Sequence, residues 1–213
     1  DLDGDTLSYN VLYSPDGLEW IPLGIAIQDS FLDIDAADLP GGANARIKVL
    51  ASDGLNTTAD ESDAPFTVAS KGPDVSITAP TDSAVLNSSS TVMLEGYAYD
   101  LEDGYLDDAA LSWSSNLDGS LGTGEDLAVT LSPGTHTVTL TAIDSDSSVN
   151  TASVTVTVTS CYALATLANP AVGGTVNVDV APNCAGSLYA SGTVVELTAD
   201  PEALYYQFTS WSE

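Results

Sequence analysis

Three features of the sequence predict an all-β fold, with tandem antiparallel β-sandwiches followed by a small, truncated β module. Apolar and polar residues alternate over short stretches such as Thr6–Tyr13 and Thr91–Tyr99, as expected for strands with one buried face. Turn-forming residues such as Ser14–Gly17 (SPDG) separate these stretches. No window keeps the 3.6-residue apolar period of a helix over three turns. A chain of 213 residues suffices for two or three such domains.

The first predicted domain covers residues 1–72. The SPDG turn joins its first two strands into a hairpin, and Trp20 in the return strand is predicted to lie in the core. Ser70–Pro73 (SKGP) is interpreted as a linker at the end of this domain. We expect strands at Thr6–Tyr13, Leu18–Leu23, Phe31–Asp35, Ala45–Ala51 and Ala64–Ala69.

The second predicted domain covers residues 73–160, and its strand spacing with Trp113 near the middle is typical of a seven-strand sandwich. Its predicted strands are Asp74–Pro80, Thr91–Tyr99, Leu111–Ser115, Asp126–Leu131, Thr135–Ile143 and Asn150–Thr159. The third predicted unit, residues 161–213, contains few acidic residues. Its predicted strands are Cys161–Leu167, Thr175–Val180, Thr193–Ala199 and Tyr205–Trp211.

The charge balance is strongly acidic. The chain has 31 acidic residues against three basic ones, Arg46, Lys48 and Lys71, for a formal net charge of −28. Such a field repels nucleic acid and anionic membrane surfaces, so neither is expected as a partner, and it attracts cations. Adaptation to a salty habitat is the alternative explanation of the charge.

Two cysteines, Cys161 and Cys184, occur in the last quarter of the chain, without the spacing of a metal site. A disulfide in an oxidising compartment is the favoured interpretation, and two buried thiols are the alternative. No apolar run of about 18 residues is present, so we expect no membrane insertion. An extracellular or cell-surface location follows, with targeting elements outside this segment.

Residues 1–20 (DLDGDTLSYNVLYSPDGLEW) and the stretch LPGGANARIKVLASDGLNT resemble a bacterial fibronectin type III-like domain. The pieces VSITAPTDSAV, LEGYAYDLEDGYL, LSWSSNLDGSLGTG and PGTHTVTLTAIDSD resemble the immunoglobulin-like and PKD-like domains of bacterial surface proteins and secreted hydrolases. NPAVGGTVNV, GTVVELTADP and the FTSW ending resemble an internalin B-repeat module. The resemblance implies tandem immunoglobulin-like sandwiches. The first domain lacks the opening strands of its family and the third lacks the close, so both are expected to be incomplete.

Acidic residues cluster where the chain is predicted to turn. Residues 1–5 (DLDGD) place carboxylates at alternate positions around a glycine, as in the first half of an EF-hand loop. Leu12 occupies the twelfth position, where an EF-hand has a bidentate glutamate, so this is not an EF-hand. The motif alone therefore indicates a cation without defining a complete site.

The pattern recurs at matching places in the second domain, after its second strand and after its penultimate strand. In an immunoglobulin-like sandwich these are the B–C and F–G loops, which lie side by side at the end where the chain enters. Because packed carboxylates repel one another, a structural calcium ion is predicted there, stiffening the joint with the first domain. The alternative is a set of solvated acidic loops without a fixed ion. The predicted ligands are Asp1, Asp3, Asp5, Asp53, Asp74, Asp100, Glu102, Asp103, Asp144 and Asp146.

Other residues give weaker indications of a function. His136 is the only histidine, and no catalytic set is apparent around it in the sequence, so we interpret it as a solvent-facing strand residue. Trp20, Trp113 and Trp211 are predicted to pack in cores, and sugar stacking is the alternative. No catalytic residue and no organic cofactor are predicted.

The sequence therefore favours a non-catalytic structural or adhesive stalk segment of a large secreted or cell-surface bacterial protein. Its expected partners are neighbouring domains of the same chain, with other copies of itself or surface glycans as further candidates. One alternative is an accessory region of a secreted peptidase or glycoside hydrolase that positions or binds substrate. Another is a filament subunit that assembles by strand addition at an open sheet edge.

Overall fold

The protein is described by a computed structural model covering residues 6–88, 90–202 and 205–211. The elements in these ranges are eighteen β-strands and two short 3₁₀-helices, Ala36–Asp38 and Ala171–Gly173. The predicted all-β fold is therefore confirmed. Neither short helix has the length and apolar character needed to span a membrane.

The strands alternate with short loops along the whole described chain. In order they are β1 (Ser8–Ser14), β2 (Ile21–Ile27), β3 (Gly42–Ser52), β4 (Thr57–Glu61), β5 (Phe66–Val68), β6 (Asp74–Ala79), β7 (Ala84–Asn87), β8 (Val92–Asp100), β9 (Gly104–Tyr105), β10 (Leu111–Ser115), β11 (Gly119–Thr123), β12 (Asp126–Val129), β13 (Gly134–Ile143), β14 (Val149–Thr159), β15 (Cys161–Tyr162), β16 (Gly174–Val178), β17 (Tyr189–Ala190) and β18 (Leu197–Pro201).

The chain forms two compact units. The first contains residues up to Val75 together with Tyr97–Leu111 and Thr141–Thr151. The second contains Ser76–Gly96, Ser112–Leu140 and the residues from Ala152 onward. The predicted boundaries at residues 72 and 160 remain predictions.

The N-terminal strands form one sheet in the order β2-β1-β3-β4, with β5 paired to the start of β3. Its core is a small cluster of Tyr13, Leu39, Ala45 and Val68. The SPDG turn occurs where it is predicted, because the Ser14 hydroxyl accepts from the Gly17 N–H at 2.8 Å. The alternation of apolar and polar residues predicted strands at the positions of β1 and β3. These two strands pair with each other along the whole of β1.

Three features of this domain differ from the prediction. The predicted strand Leu18–Leu23 overlaps only the start of β2, which runs from Ile21 to Ile27. Phe31–Asp35 is not a strand, because Asp35 instead caps the 3₁₀-helix through its carboxylate, 2.9 Å from the Ala37 nitrogen. Strand β4 was not predicted, since its sequence TTADE is exposed at every position and carries no apolar alternation.

Two sheets account for the middle of the chain. One has the order β11-β10-β13-β14-β7, and the other has the order β12-β8-β6 with β9 paired to β8. Buried and exposed residues alternate at every position of β8, as the sequence predicted. Strands β14 and β7 pair in parallel, which is an exception to the antiparallel expectation. In the second unit the most buried side chains of these strands are Leu94, Trp113, Val138, Leu140 and Val156.

The last segment is built differently. It contains two isolated two-stranded pairs, β15–β17 and β16–β18, and none of its described residues after Thr159 is fully buried. The predicted strand Cys161–Leu167 shortens to β15, and Tyr205–Trp211 forms no strand. The predicted disulfide between Cys161 and Cys184 is confirmed. It ties β15 to the bridge that Cys184 makes with Leu188.

Reduction of this disulfide should destabilise the last segment selectively. The bond closes a loop of 23 residues, for which the chain-entropy estimate is about 3 kcal/mol. We expect hydrogen exchange of β15, β16 and β17 to accelerate after reduction, while exchange of β13 stays unchanged as the internal control. Equal protection of these strands before and after reduction would contradict the prediction.

Candidate cation site in the acidic loops

The loop after β8 is shaped by its first residue. One carboxylate oxygen of Asp100 accepts hydrogen bonds from the N–H groups of Glu102 at 2.8 Å and Asp103 at 3.0 Å. Gly104 completes the bend with φ near +78°, a value that residues with a Cβ rarely adopt. The chain then returns as β9, in which Gly104 pairs with Asp100. Asp100 is therefore required for the turn as well as being a candidate ligand.

The loop after β13 is also held by a hydrogen bond to the carboxylate of its first residue. One carboxylate oxygen of Asp144 accepts from the Ser148 N–H at 2.7 Å. Asp103 joins this loop to the previous one, because its two carboxylate oxygens accept from the N–H and hydroxyl of Ser145, both at 2.8 Å. The sequence prediction that these two loops lie side by side agrees with these contacts.

The linker contributes further hydrogen bonds within the first unit. Glu102 accepts from the backbone N–H groups of Gly41 and Lys71, and Ser70 donates to Asp146 at 2.7 Å. Gly41 is needed for this approach, since a Cβ there would lie 2.5 Å from the Cα of Ser70. The carboxylates of residues 102 and 146 therefore hold the linker against the acidic loops.

Three carboxylate oxygens in these loops are buried without a hydrogen-bond partner. They are the second oxygens of Asp100, Glu102 and Asp144. Asp100 is 2 % exposed and Asp144 is 8 % exposed. A buried, unpaired polar atom costs about 1–3 kcal/mol, and more when it is charged. These loops therefore keep acceptor capacity that the surrounding protein does not use.

No basic side chain neutralises this charge within the described part of the chain. Arg46 and Lys48 form ion pairs with Glu61, away from the acidic loops. The ammonium group of Lys71 donates to the carbonyl of Leu39. The negative charge of the loops is thus balanced by N–H dipoles rather than by ions.

Electrostatic effects of the loops appear in two pKa values. Hydrogen bonds from the N–H of Ser145, and then from its hydroxyl, hold the pKa of Asp103 below its usual range. Burial, and then the negative charge of Glu102, raise the pKa of Tyr13. Its hydroxyl donates to the carbonyl of Pro40 at 2.6 Å. The charge of Glu102 therefore acts on the core cluster of the N-terminal sheet.

The other predicted ligands are placed differently. Asp1, Asp3 and Asp5 lie outside the described residues. Asp53 is exposed and closes its own turn, accepting from Leu55 at 2.8 Å and Asn56 at 2.5 Å. These hydrogen bonds, led by that from Asn56, lower its pKa.

Asp74 is exposed at the start of β6. Within residues 6–88, 90–202 and 205–211, no three His, Cys, Asp or Glu side chains form a ready-made metal cluster. A cation in these loops would therefore take carboxylate oxygens from one or two residues, and carbonyl or water oxygens for the remainder.

His136 is completely buried, so its interpretation as a solvent-facing residue is wrong. Its Nε2 lies 2.7 Å from the carbonyl of Ser132, which places the proton on Nε2. Its Nδ1 lies 2.8 Å from the Ser115 hydroxyl and 3.8 Å from Asp118. A catalytic triad needs the serine and the carboxylate on opposite ring nitrogens. Here both lie on the Nδ1 side, so this cluster acts as a buried polar support.

The three tryptophans also differ. Trp113 is 1 % exposed and donates to the carbonyl of Gly124 at 2.8 Å, as expected for a core residue. Trp20 is only half-buried, and its ring centroid lies 3.7 Å from the Lys48 ammonium. Trp211 is 52 % exposed beside Phe208, so the prediction of a core position is wrong for it.

Comparison with known proteins finds a structural similarity to the fibronectin(III)-like modules of CbhA from Clostridium thermocellum. The TM-score is 0.38 and the sequence identity is 17 %, over 74 % of this chain and 80 % of that one. No protein-family model matches the chain, and no curated protein matches it.

The buried histidine cluster yields a stability prediction. Ser115→Ala removes the partner of the His136 Nδ1 and should lower the free energy of unfolding by about 1–3 kcal/mol. The matched control is Thr139→Ala, because Thr139 makes an exposed hydroxyl contact with Ser153 at 2.9 Å. Urea denaturation measures both variants. An equal effect of the two substitutions would contradict a buried role for Ser115.

The lowered pKa of Asp103 yields a pH prediction. Its folded pKa lies below the unfolded value of about 3.9, so its contribution to stability is present above pH 4 and disappears as pH falls through the folded value. Asp103→Ala should therefore lower the melting temperature more at pH 7 than at pH 3. Asp60→Ala, on exposed β4, is the control and should have little effect at either pH. A pH-independent loss in Asp103→Ala would contradict the assignment.

Proposed function

We propose that this chain is a non-catalytic structural segment of a secreted or cell-surface bacterial protein, in which calcium braces the acidic loops and the linker. One observation carries the proposal. Asp100 and Asp144 are each more than nine-tenths buried, and each directs one carboxylate oxygen to backbone N–H groups while the other oxygen has no partner. The backbone bonds fix the loops, and the second oxygens remain for an ion.

Calcium suits this arrangement better than other common cations. It accepts six to eight oxygen ligands in flexible geometry, including carbonyls and waters, and so tolerates loops that supply few carboxylates. Magnesium requires a near-ideal octahedron and gives up water reluctantly. Zinc prefers nitrogen and sulfur ligands, whereas the side chains in these loops offer oxygen. The net charge of −28 further raises the local concentration of cations.

The non-catalytic and extracellular parts of the proposal have separate support. His136 is committed to buried hydrogen bonds with Ser115 and Ser132, which removes its ring from general acid–base chemistry. The disulfide between Cys161 and Cys184 favours an oxidising compartment. Both features suit a domain outside the cell whose role is to connect or present other parts of a protein.

An accessory role beside a secreted hydrolase is a second candidate. It is favoured by three adjacent, exposed tyrosines of the first unit, Tyr97, Tyr99 and Tyr105. Assembly into filaments is less favoured. Although β2 is an edge strand with exposed apolar residues such as Ile25, copies of a chain with charge −28 repel one another.

Calcium should stabilise the protein through these loops. At a concentration 100 times its dissociation constant, a ligand of the folded state contributes about 2.7 kcal/mol. This corresponds to a rise in melting temperature of about 5–10 °C for a chain of this size. We expect this rise on adding calcium to chelator-treated protein, and a much smaller one with magnesium. Hydrogen exchange of the linker amides at residues 70–72 should slow in parallel.

Matched variants test whether the calcium-dependent rise in melting temperature arises from the acidic loops. Asp100→Asn with Asp144→Asn keeps side-chain shape but removes two ligand charges, and should abolish the calcium-dependent shift. The control is Asp60→Asn with Asp63→Asn, which makes the same change in charge at exposed positions and should keep the full shift. A shift that is absent from the natural sequence, or equal in both double variants, would overturn the proposal.

A further inference from the structure

Three tyrosines form an exposed cluster in the first unit. Tyr97 and Tyr99 lie on the solvent side of β8, opposite buried residues such as Ala98, and are 42 % and 43 % exposed. Tyr105 on β9 pairs with Tyr99 and is 73 % exposed. The Tyr105 ring centroid lies 5.2 Å from that of Tyr99 and 6.3 Å from that of Tyr97. We call these three residues the tyrosine face.

Folding explains only part of the tyrosine face: the Tyr105 ring packs edge-to-face with those of Tyr99 and Tyr97, at interplanar angles of 72° and 62°. Burying an aromatic ring removes about 150–250 Å² from water, yet these three rings leave much of their area in solvent. Among the described residues, none hydrogen-bonds to any of the three hydroxyl groups. Contiguous apolar surface with free polar tips is typical of a binding surface. The cluster is therefore a candidate ligand site that the cation proposal does not use.

Charge restricts the ligand. The basic residues are engaged elsewhere, since Arg46 and Lys48 bind Glu61 and Lys71 binds the carbonyl of Leu39. The chain therefore presents a strongly negative field, which repels nucleic acids and anionic polysaccharides. A neutral ligand remains compatible with this field.

Size and chemistry further restrict the class of ligand that the tyrosine face can bind. A specific protein interface buries about 800 Å² on each partner, which exceeds what three partly exposed tyrosines can supply. Side chains two residues apart on a strand are separated by about 6–7 Å, so Tyr97 and Tyr99 together suit two or three adjoining small rings. A pyranose ring has an apolar C–H face and a rim of hydroxyls, which matches a tyrosine ring and its hydroxyl.

We propose that Tyr97, Tyr99 and Tyr105 form a binding face for a neutral polysaccharide. The inference goes beyond the structural role and stands independently of calcium, because no carboxylate of the acidic loops takes part. A segment with this property would hold its parent protein against a glycan surface as well as connect its domains.

Affinity electrophoresis tests the proposal with defined probes. The full chain is run in gels containing a soluble β-glucan, a xylan or a galactomannan, and in gels containing anionic carboxymethylcellulose or polygalacturonate. We expect retardation by at least one neutral polysaccharide and none by the anionic ones. Tyr105→Ala should weaken the binding at least tenfold, and Tyr97→Ala with Tyr99→Ala should abolish it.

Controls separate binding from folding and from the cation site. Tyr162→Ala removes a tyrosine that is 60 % exposed and lies outside the tyrosine face, on β15, and should leave retardation unchanged. Tyr105→Phe keeps the ring and should retain most of the binding. Each variant should remain folded, with a melting temperature no more than a few degrees below that of the natural sequence, and chelator should not alter retardation.

Three outcomes would overturn the proposal. They are the lack of retardation by every neutral polysaccharide, retardation that survives loss of all three tyrosines, and a face that captures a protein partner without binding polysaccharide. Because the readout is independent of calcium, its failure and the failure of the cation site are distinguishable.

Discussion

The structure of the first unit depends on hydrogen bonds that backbone N–H groups donate to carboxylates at the ends of strands. Asp100 and Asp144 follow or end long strands, and each closes the next turn by accepting hydrogen bonds from the backbone. Asp103 then joins one turn to the other through Ser145. Hydrogen bonds to charged acceptors are about twice as strong as neutral ones. The same contacts that fold these loops therefore gather negative charge at one place, without a basic residue to offset it.

Acidity at turns has two different causes in this chain. Asp53 occupies an exposed turn, and both of its carboxylate oxygens find hydrogen-bond donors there. Turn formation explains it fully. Asp100 and Asp144 also make turns, but each keeps a buried oxygen without a partner. Burial of the second oxygen, rather than the presence of an acidic residue, separates a turn-forming aspartate from a candidate ligand. By this criterion Asp53 leaves the predicted set of cation ligands, whereas Asp100 and Asp144 remain in it.

Sequence patterns identified the long strands because two-residue alternation is strong over eight or more positions, as along β8. They missed β7, β9 and β11, since strands of two to five residues carry little periodic signal. The parallel pairing of β7 with β14 depends on tertiary contacts that alternation does not encode. For the site, resemblance placed two acidic loops together, whereas only coordinates distinguish exposed Asp53 from buried Asp144. His136 was assigned to the exposed face because its neighbours in sequence, Thr135 and Thr137, are polar. In the structure it lies on the buried face of β13.

The middle and last segments of the chain are stabilised by different means. Where the sheets of the middle segment meet their core, Trp113, Leu94 and Leu140 supply ordinary hydrophobic burial. The last segment has no fully buried residue in its described part and relies on the disulfide. Neither device explains three adjacent tyrosines in solvent, because removing them from β8 and β9 would leave the buried side of the sheet unchanged. The contacts between these rings add some stability to the β8–β9 pair, but they do not require so much aromatic area in solvent, which the proposed binding role would explain.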